Sequence, residues 1–132
     1  MRVMLDTNIL ISAFIFKSKV MNRLINILSN EDEIVIASYC IDELKGLIKS
    51  KFNISSIKLE EFLQKFPFTL AYSPNDVTKK LFEIRDPEDY IILHTAIIED
   101  VDIFITGDKD FNDVKIERPE IMTAAEFLEK YC

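Results

Sequence analysis

Apolar residues in this chain come in short unbroken runs, separated by stretches in which they recur every three or four positions. The first run, Val3 to Leu5 within RVMLDTNILI, shows no alternation. The strand it predicts is therefore buried on both faces, as a central strand of a parallel sheet is. Ile9 to Phe16 and Val20 to Ser29 predict two consecutive helices broken at Lys17-Ser18-Lys19; in the second, Val20, Leu24, Ile27 and Leu28 share one face. Glu33 to Ala37 (EIVIA) predicts a second strand. Ser38 stands as the N-cap of a helix carrying Ile41, Leu44, Leu47 and Ile48. Ser55 or Ser56 opens another, with Ile57, Leu59, Phe62 and Leu63, and Pro67 marks its end.

Phe68 to Tyr72 predicts a third strand, and Asn75-Asp76 a short helix through Val77 and Leu81. In Arg85-Asp86-Pro87-Glu88-Asp89, Asp86 reads as N-cap and Pro87 as the first helical residue, with two acids in the first turn; that helix runs to about Glu99. Asp102 to Thr106 (DIFIT) is a fourth strand, followed by a polar turn from Gly107 to Asp113. Pro119 interrupts the next apolar segment, so a brief fifth strand centres on Ile121 and Met122. Thr123 and Glu126 fit a capping box for a last helix. Strands alternating with helices predict one α/β domain around a parallel sheet, over residues 1–132.

Composition narrows the function less than it narrows the fold. With 48% hydrophobic residues and only 2 Gly, the chain can bury a core without metal or disulfide support. No apolar run approaches the ~20 residues of a membrane helix. Asp6 and Asn8 interrupt the N-terminal run, which does not read as an export leader, and the cytosol is the expected compartment. Cys40 and Cys132 are too far apart in sequence to suggest a disulfide framework; Cys40 reads as a core residue and Cys132 as a solvent-facing thiol. The formal charge of −7 excludes a protein held to nucleic acid by bulk charge alone. It leaves two readings: no nucleic-acid partner, or acids concentrated in a site that cations neutralise.

Placement of the acids on the predicted elements bears on that choice. Asp6 ends strand one, Glu43 lies early in the helix after strand two, and Asp108 follows strand four. In right-handed parallel α/β units, strand C-termini and the N-termini of the following helices share one edge, so these three gather there. Asp89 joins them if its helix also starts at that edge. Two unit charges about 5 Å apart repel by roughly 3 kcal/mol at an effective dielectric of about 20, so such a cluster calls for protons or cations. All-oxygen ligands select Mg²⁺ or Mn²⁺, ions that hold phosphates and can activate water against a phosphodiester. Each acid also has a purely structural reading. Asp6 can cap a helix, Asp89 can complement the helix dipole, Glu43 can be solvated, and Asp108 and Asp110 can be loop acids. Asp86 reads as a cap only.

The blocks LDTN, SYCIDEL, DPEDYIILHTA and ITGDKDF, in this order, resemble a PIN-domain ribonuclease, nearest to the VapC-like toxin components of prokaryotic toxin–antitoxin systems. The match runs from Met1 to about Phe111. The resemblance implies metal ligands at Asp6, Glu43, Asp89 and Asp108, polar supports at Asn8 and Thr106, and Asp110 as a further member of the last block. It implies a parallel sheet of order 3-2-1-4-5 with helices on both faces, which sets Asp6 beside Asp108. It also implies Mg²⁺- or Mn²⁺-dependent cleavage of RNA, a homodimer, and a cognate antitoxin. His94 departs from the pattern, standing where a small residue is usual, and is assigned no role.

Lys17, Lys19, Lys45, Lys49, Lys51 and Arg85 are candidate phosphate contacts, with Lys45 and Lys49 on one face of the Glu43 helix. Ile9, Leu10, Ile11, Phe14, Ile15 and Phe16 exceed what one buried face needs, which fits either a partner groove or two-sided burial. Two other functions share some of these features. A haloacid-dehalogenase-type phosphatase also begins with a strand-ending Asp, but needs an acid where Asn8 stands and a Lys with no clear counterpart. A non-catalytic PIN-like module that only binds RNA or protein has no physical use for clustered acids. A phosphoacceptor receiver domain would want paired acids near strand one, which are missing.

Overall fold

The computed structural model describes residues 1–74 and 81–132, so the short helix expected from Asn75 lies largely outside the described residues. The order is β1 (Arg2–Leu5), α1 (Thr7–Phe14), α2 (Lys19–Glu31), β2 (Glu33–Ala37), α3 (Ser38–Ser50), α4 (Ser56–Leu63), β3 (Thr69–Ala71), α5 (Pro87–Ile98), β4 (Ile103–Ile105), β5 (Glu120–Met122) and α6 (Ala124–Tyr131). A single 3-10 turn, Lys109–Phe111, lies between β4 and β5. All strand pairings are parallel, in the order β3-β2-β1-β4-β5. The chain builds outward from β1 to β3, then crosses to the other side of β1 for β4. β1 and β4 therefore flank the point where the order reverses, where open α/β sheets bind ligands beyond the strand C-termini.

Val3, Met4 and Leu5 are wholly buried, as are Phe104 and Ile105 of β4, so helices cover both faces of the sheet. Lys17, at positive φ, breaks α1 from α2, and Ser18 caps α2 by accepting the Met21 amide. Ile9 and Leu10 enter the core and Ile11, Phe14 and Ile15 pack against it, which accounts for most of the apolar excess in this segment as two-sided burial. Phe16 remains exposed, edge-on to Phe52.

Ser38 is not the cap of α3. Ala37 holds that position with no side-chain bond, and Ser38 begins the helix. Its hydroxyl instead accepts the Ser73 amide at 2.9 Å, while Ser73 Oγ accepts the Tyr39 amide and the Thr95 hydroxyl. The stretch after β3 is thereby tied to the start of α3 and to α5, a long-range use of the hydroxyl that local spacing cannot reveal. The other caps follow the sequence: Asp86 accepts the Glu88 amide with Pro87 at the first helical position, and Thr123 and Glu126 complete a capping box. Thr123→Ala is expected to lower stability by about 1 kcal/mol, read as a shifted denaturant midpoint at unchanged slope.

Candidate metal centre

At the reversal point the β1 and β4 ends are joined by the Asp6 amide donating to the Ile105 carbonyl at 3.0 Å. Asp6 both caps α1 and bonds the end of β4, its two oxygens dividing the tasks. Oδ1 accepts the Thr7 amide at 2.7 Å, and Oδ2 accepts the Thr106 hydroxyl at 2.6 Å. Thr106 Oγ1 in turn accepts the Asp108 amide at 3.0 Å, so one buried hydroxyl fixes Asp6 and Asp108 relative to each other. Asn8 Oδ1 reaches the Gly107 amide at 3.4 Å and steadies the turn. Thr106 and Asn8 thus both form hydrogen bonds across the β1–β4 junction, Thr106 to Asp6 and to the Asp108 amide and Asn8 to the Gly107 amide.

Asp108 caps the 3-10 turn by accepting the Asp110 amide at 2.9 Å. This short turn brings Asp110 back beside Asp108, and α5 delivers Asp89 from its first turn. Among the described residues, Asp89, Asp108 and Asp110 place carboxylate oxygens all within 4.8 Å of one another. Asp89 is 8% exposed, and its buried Oδ2 has no hydrogen-bond partner. A buried carboxylate oxygen without a donor is costly, and here it points to a group that a cation would satisfy. Burial, with Asp108 next in importance and Asp86, Asp6 and Asp110 behind it, pushes the Asp89 carboxyl up to about 7. Burial also raises Asp6 to about 6, against the pull of its bonds from Thr106 and Thr7; the charges of Glu43 and Asp108 add to the rise.

Asp6 and Glu43, both expected among the ligands, lie outside the 4.8 Å group, Asp6 buried at the end of β1 and Glu43 half-buried on α3, though their charges reach each other. Asp110, read from sequence as a supporting member of the last block, belongs to the trio, and the Asp-x-Asp spacing across a tight turn is the signal that marks it. Arg85 does not extend free: Nη2 contacts both Asp110 oxygens, at 3.1 and 2.9 Å. Tyr39, which sequence reasoning passed over, is pushed up to about 12 by burial and by a hydrogen bond to Glu88, linking α3 to the start of α5 near the acids. Lys45 and Lys49 are exposed and line a cavity of about 560 Å³ with Asn53, Ser55 and Ser56. A cavity of about 520 Å³ beside β5 includes Thr106, Phe111 and Met122 but none of the acids of the trio. Asp108 and Asp110 are half-exposed, and Asp110 lines a cavity of about 580 Å³ with Arg85, Lys109 and Asp113.

His94 carries a buried Nδ1 without a partner among the described residues and packs on Tyr90, with ring centroids 5.6 Å apart. Cys40 is buried in the core and Cys132 is exposed. No helix among the described residues is long and apolar enough to cross a membrane.

Comparison with known proteins places this geometry in context. No curated protein sequence matches the chain. Its fold is similar to that in the structure of VapBC2 from Rickettsia felis bound to a DNA fragment from their promoter, with TM-score 0.69 and 23% identity over 93% of this chain and 98% of the other. It is also similar to VapBC-1 from nontypeable Haemophilus influenzae, with TM-score 0.61 and 21% identity over 95% and 99%. The model of the PIN domain matches residues 2–110, a span that begins with β1 and closes on the third acid of the trio. The chain belongs to the PIN-domain family.

Proposed function

We propose that this PIN domain is a Mg²⁺- or Mn²⁺-dependent endoribonuclease and the toxin of a toxin–antitoxin pair. The observation that carries the reading is the orphaned Oδ2 of Asp89, a residue only 8% exposed, in a trio whose oxygens from Asp89, Asp108 and Asp110 lie within 4.8 Å of one another. The donors are all carboxylate oxygens, a set suited to a hard divalent ion. Asp89, Asp108 and Asp110 would hold it, with Asp6 and Glu43 as further acids of the site. When bound, such an ion supplies an activated water and charge stabilisation for phosphodiester hydrolysis.

The chain's own part is to hold these acids where they repel. Thr106 orients Asp6 and Asp108 together, Asn8 holds the Gly107 turn, and the α5 cap fixes the approach of Asp89. Lys45 and Lys49 are proposed as outer phosphate contacts, making RNA affinity salt-dependent and modest against a net charge of −7. The VapBC names of the two fold neighbours support an antitoxin as partner, and a homodimer belongs to the same reading.

The test pairs two substrates. Labelled RNA and p-nitrophenyl phosphate are each incubated with Mn²⁺ or EDTA; RNA cleavage that needs Mn²⁺, without nitrophenol release, is expected. Nitrophenol release alone would favour the phosphatase. Mn²⁺ binding with turnover of neither would favour a module that only binds.

A further inference from the structure

Arg85 stands immediately before the Asp86 cap of α5, its side chain 83% exposed, yet its guanidinium rests on Asp110. A single nitrogen, Nη2, serves both carboxylate oxygens. Asp110 is one of the three acids whose oxygens lie within 4.8 Å of one another, and the negative charges of Asp110, Asp86 and Asp108 all hold the Arg85 guanidinium above its ordinary pKa. An exposed ion pair of this kind ordinarily contributes little to stability. Its position matters more, because a fixed positive charge covers both oxygens of a half-exposed member of the trio. Arg85 cannot lose that charge by deprotonation, so only movement of the side chain uncovers Asp110.

We propose that Arg85 is a built-in competitor for the divalent ion, neutralising Asp110 in the ion-free protein and setting how tightly the site takes its metal. This inference rests on the reading of the acidic trio as a metal site. The guanidinium lowers the repulsion among Asp89, Asp108 and Asp110 when no ion is bound. It must swing away, or tolerate a doubly charged neighbour, when one binds. The chain thereby sets its metal affinity below what three carboxylates alone would reach, and ties occupancy of the site to ion concentration.

Titration of the full chain with MnCl₂ by calorimetry tests this, comparing the parent with Arg85→Gln and with Lys130→Gln. Lys130 pairs with Glu120 at the start of β5, the end of the sheet away from the acids, and so controls for the change in net charge. Arg85→Gln is expected to bind Mn²⁺ about five- to tenfold more tightly, from removal of a unit positive charge beside a doubly charged ion in largely aqueous surroundings. The gain should shrink in about 1 M salt, where the screening length falls to ~3 Å. Lys130→Gln should change the affinity less than about twofold, since its charge is remote and screened. Equal or weaker Mn²⁺ binding by Arg85→Gln overturns the competitor role while leaving the metal site standing. Absence of Mn²⁺ binding in all three proteins overturns the metal site itself, and the competitor with it.

Discussion

Asp6→Asn is expected to reduce Mn²⁺-dependent RNA cleavage by about ten- to a hundredfold, the scale seen when groups that orient a metal's ligands are removed. The fold should survive. Asparagine is close in shape, its carbonyl oxygen can still accept the Thr7 amide that Asp6 Oδ1 accepts at 2.7 Å, and the Thr106 hydroxyl can turn to accept from the introduced side-chain amide. Thr106 then serves as acceptor for that amide and for the Asp108 backbone amide, in place of the present relay in which it donates at 2.6 Å. What disappears is a negative charge buried to 5% exposure beside the other acids. Cleavage assayed with Mn²⁺ in excess, alongside circular dichroism, separates the outcomes: unchanged cleavage with unchanged fold would falsify the role given to Asp6.

Stability in EDTA should fall as pH rises from about 5 to about 7.5, opposite to the usual behaviour of a protein stabilised by paired carboxylates. Asp6 and Asp89 have folded-state values of about 6 and about 7, both raised by burial from an ordinary 3.8. The folded chain therefore binds protons more tightly than the unfolded chain in this window. Its advantage is complete below the unfolded value and is lost as pH rises through 6 and 7. Glu33, held below its ordinary value by Thr69 and Arg2, acts in the opposite sense but only at lower pH. Asp6 alone, raised from 3.8 to about 6, accounts for about 3 kcal/mol over its whole titration, of which roughly half falls inside this window. For a chain of this length a melting temperature lower by roughly 5–10 °C at the upper pH is expected. Mn²⁺ at about a hundred times its dissociation constant should restore about 2.7 kcal/mol. Asp89→Asn should raise the melting temperature at the upper pH in EDTA and abolish most of the rise on adding Mn²⁺. A flat or rising profile across this window, with Asp89→Asn neutral or destabilising, would remove the idea that these acids are held together against their repulsion.

Both expectations have the same origin: the fold buries these acids close together, where their charges cost it stability. Asp89 shows the cost most directly. Its Oδ2 is buried without a donor, although α5 could have placed almost any residue in that first turn. Asp86, just ahead of the same helix, shows what a purely structural acid does: it is half-buried and its side chain closes the Glu88 amide.

Local rules made much of this molecule legible in its residues. An unalternated apolar run required β1 to be central, caps and helical spacing marked α2, α5 and α6, and the alternation of strands with helices required a parallel sheet. The order of the strands, and the neighbours it makes of Asp6 and Asp108, came from resemblance to the PIN family rather than from periodicity. Tertiary structure alone decided the finer matters. It turned the Ser38 hydroxyl away from its own helix and toward Ser73, drew Asp110 into the acidic trio while leaving Asp6 and Glu43 outside it, and laid Arg85 across Asp110. Periodicity and capping act over a few residues along the chain, so sequence reports them directly. Which side chains meet across the ends of β1, β4 and α5 depends on the paths of turns between elements far apart in sequence, and that is settled only when the sheet closes its core.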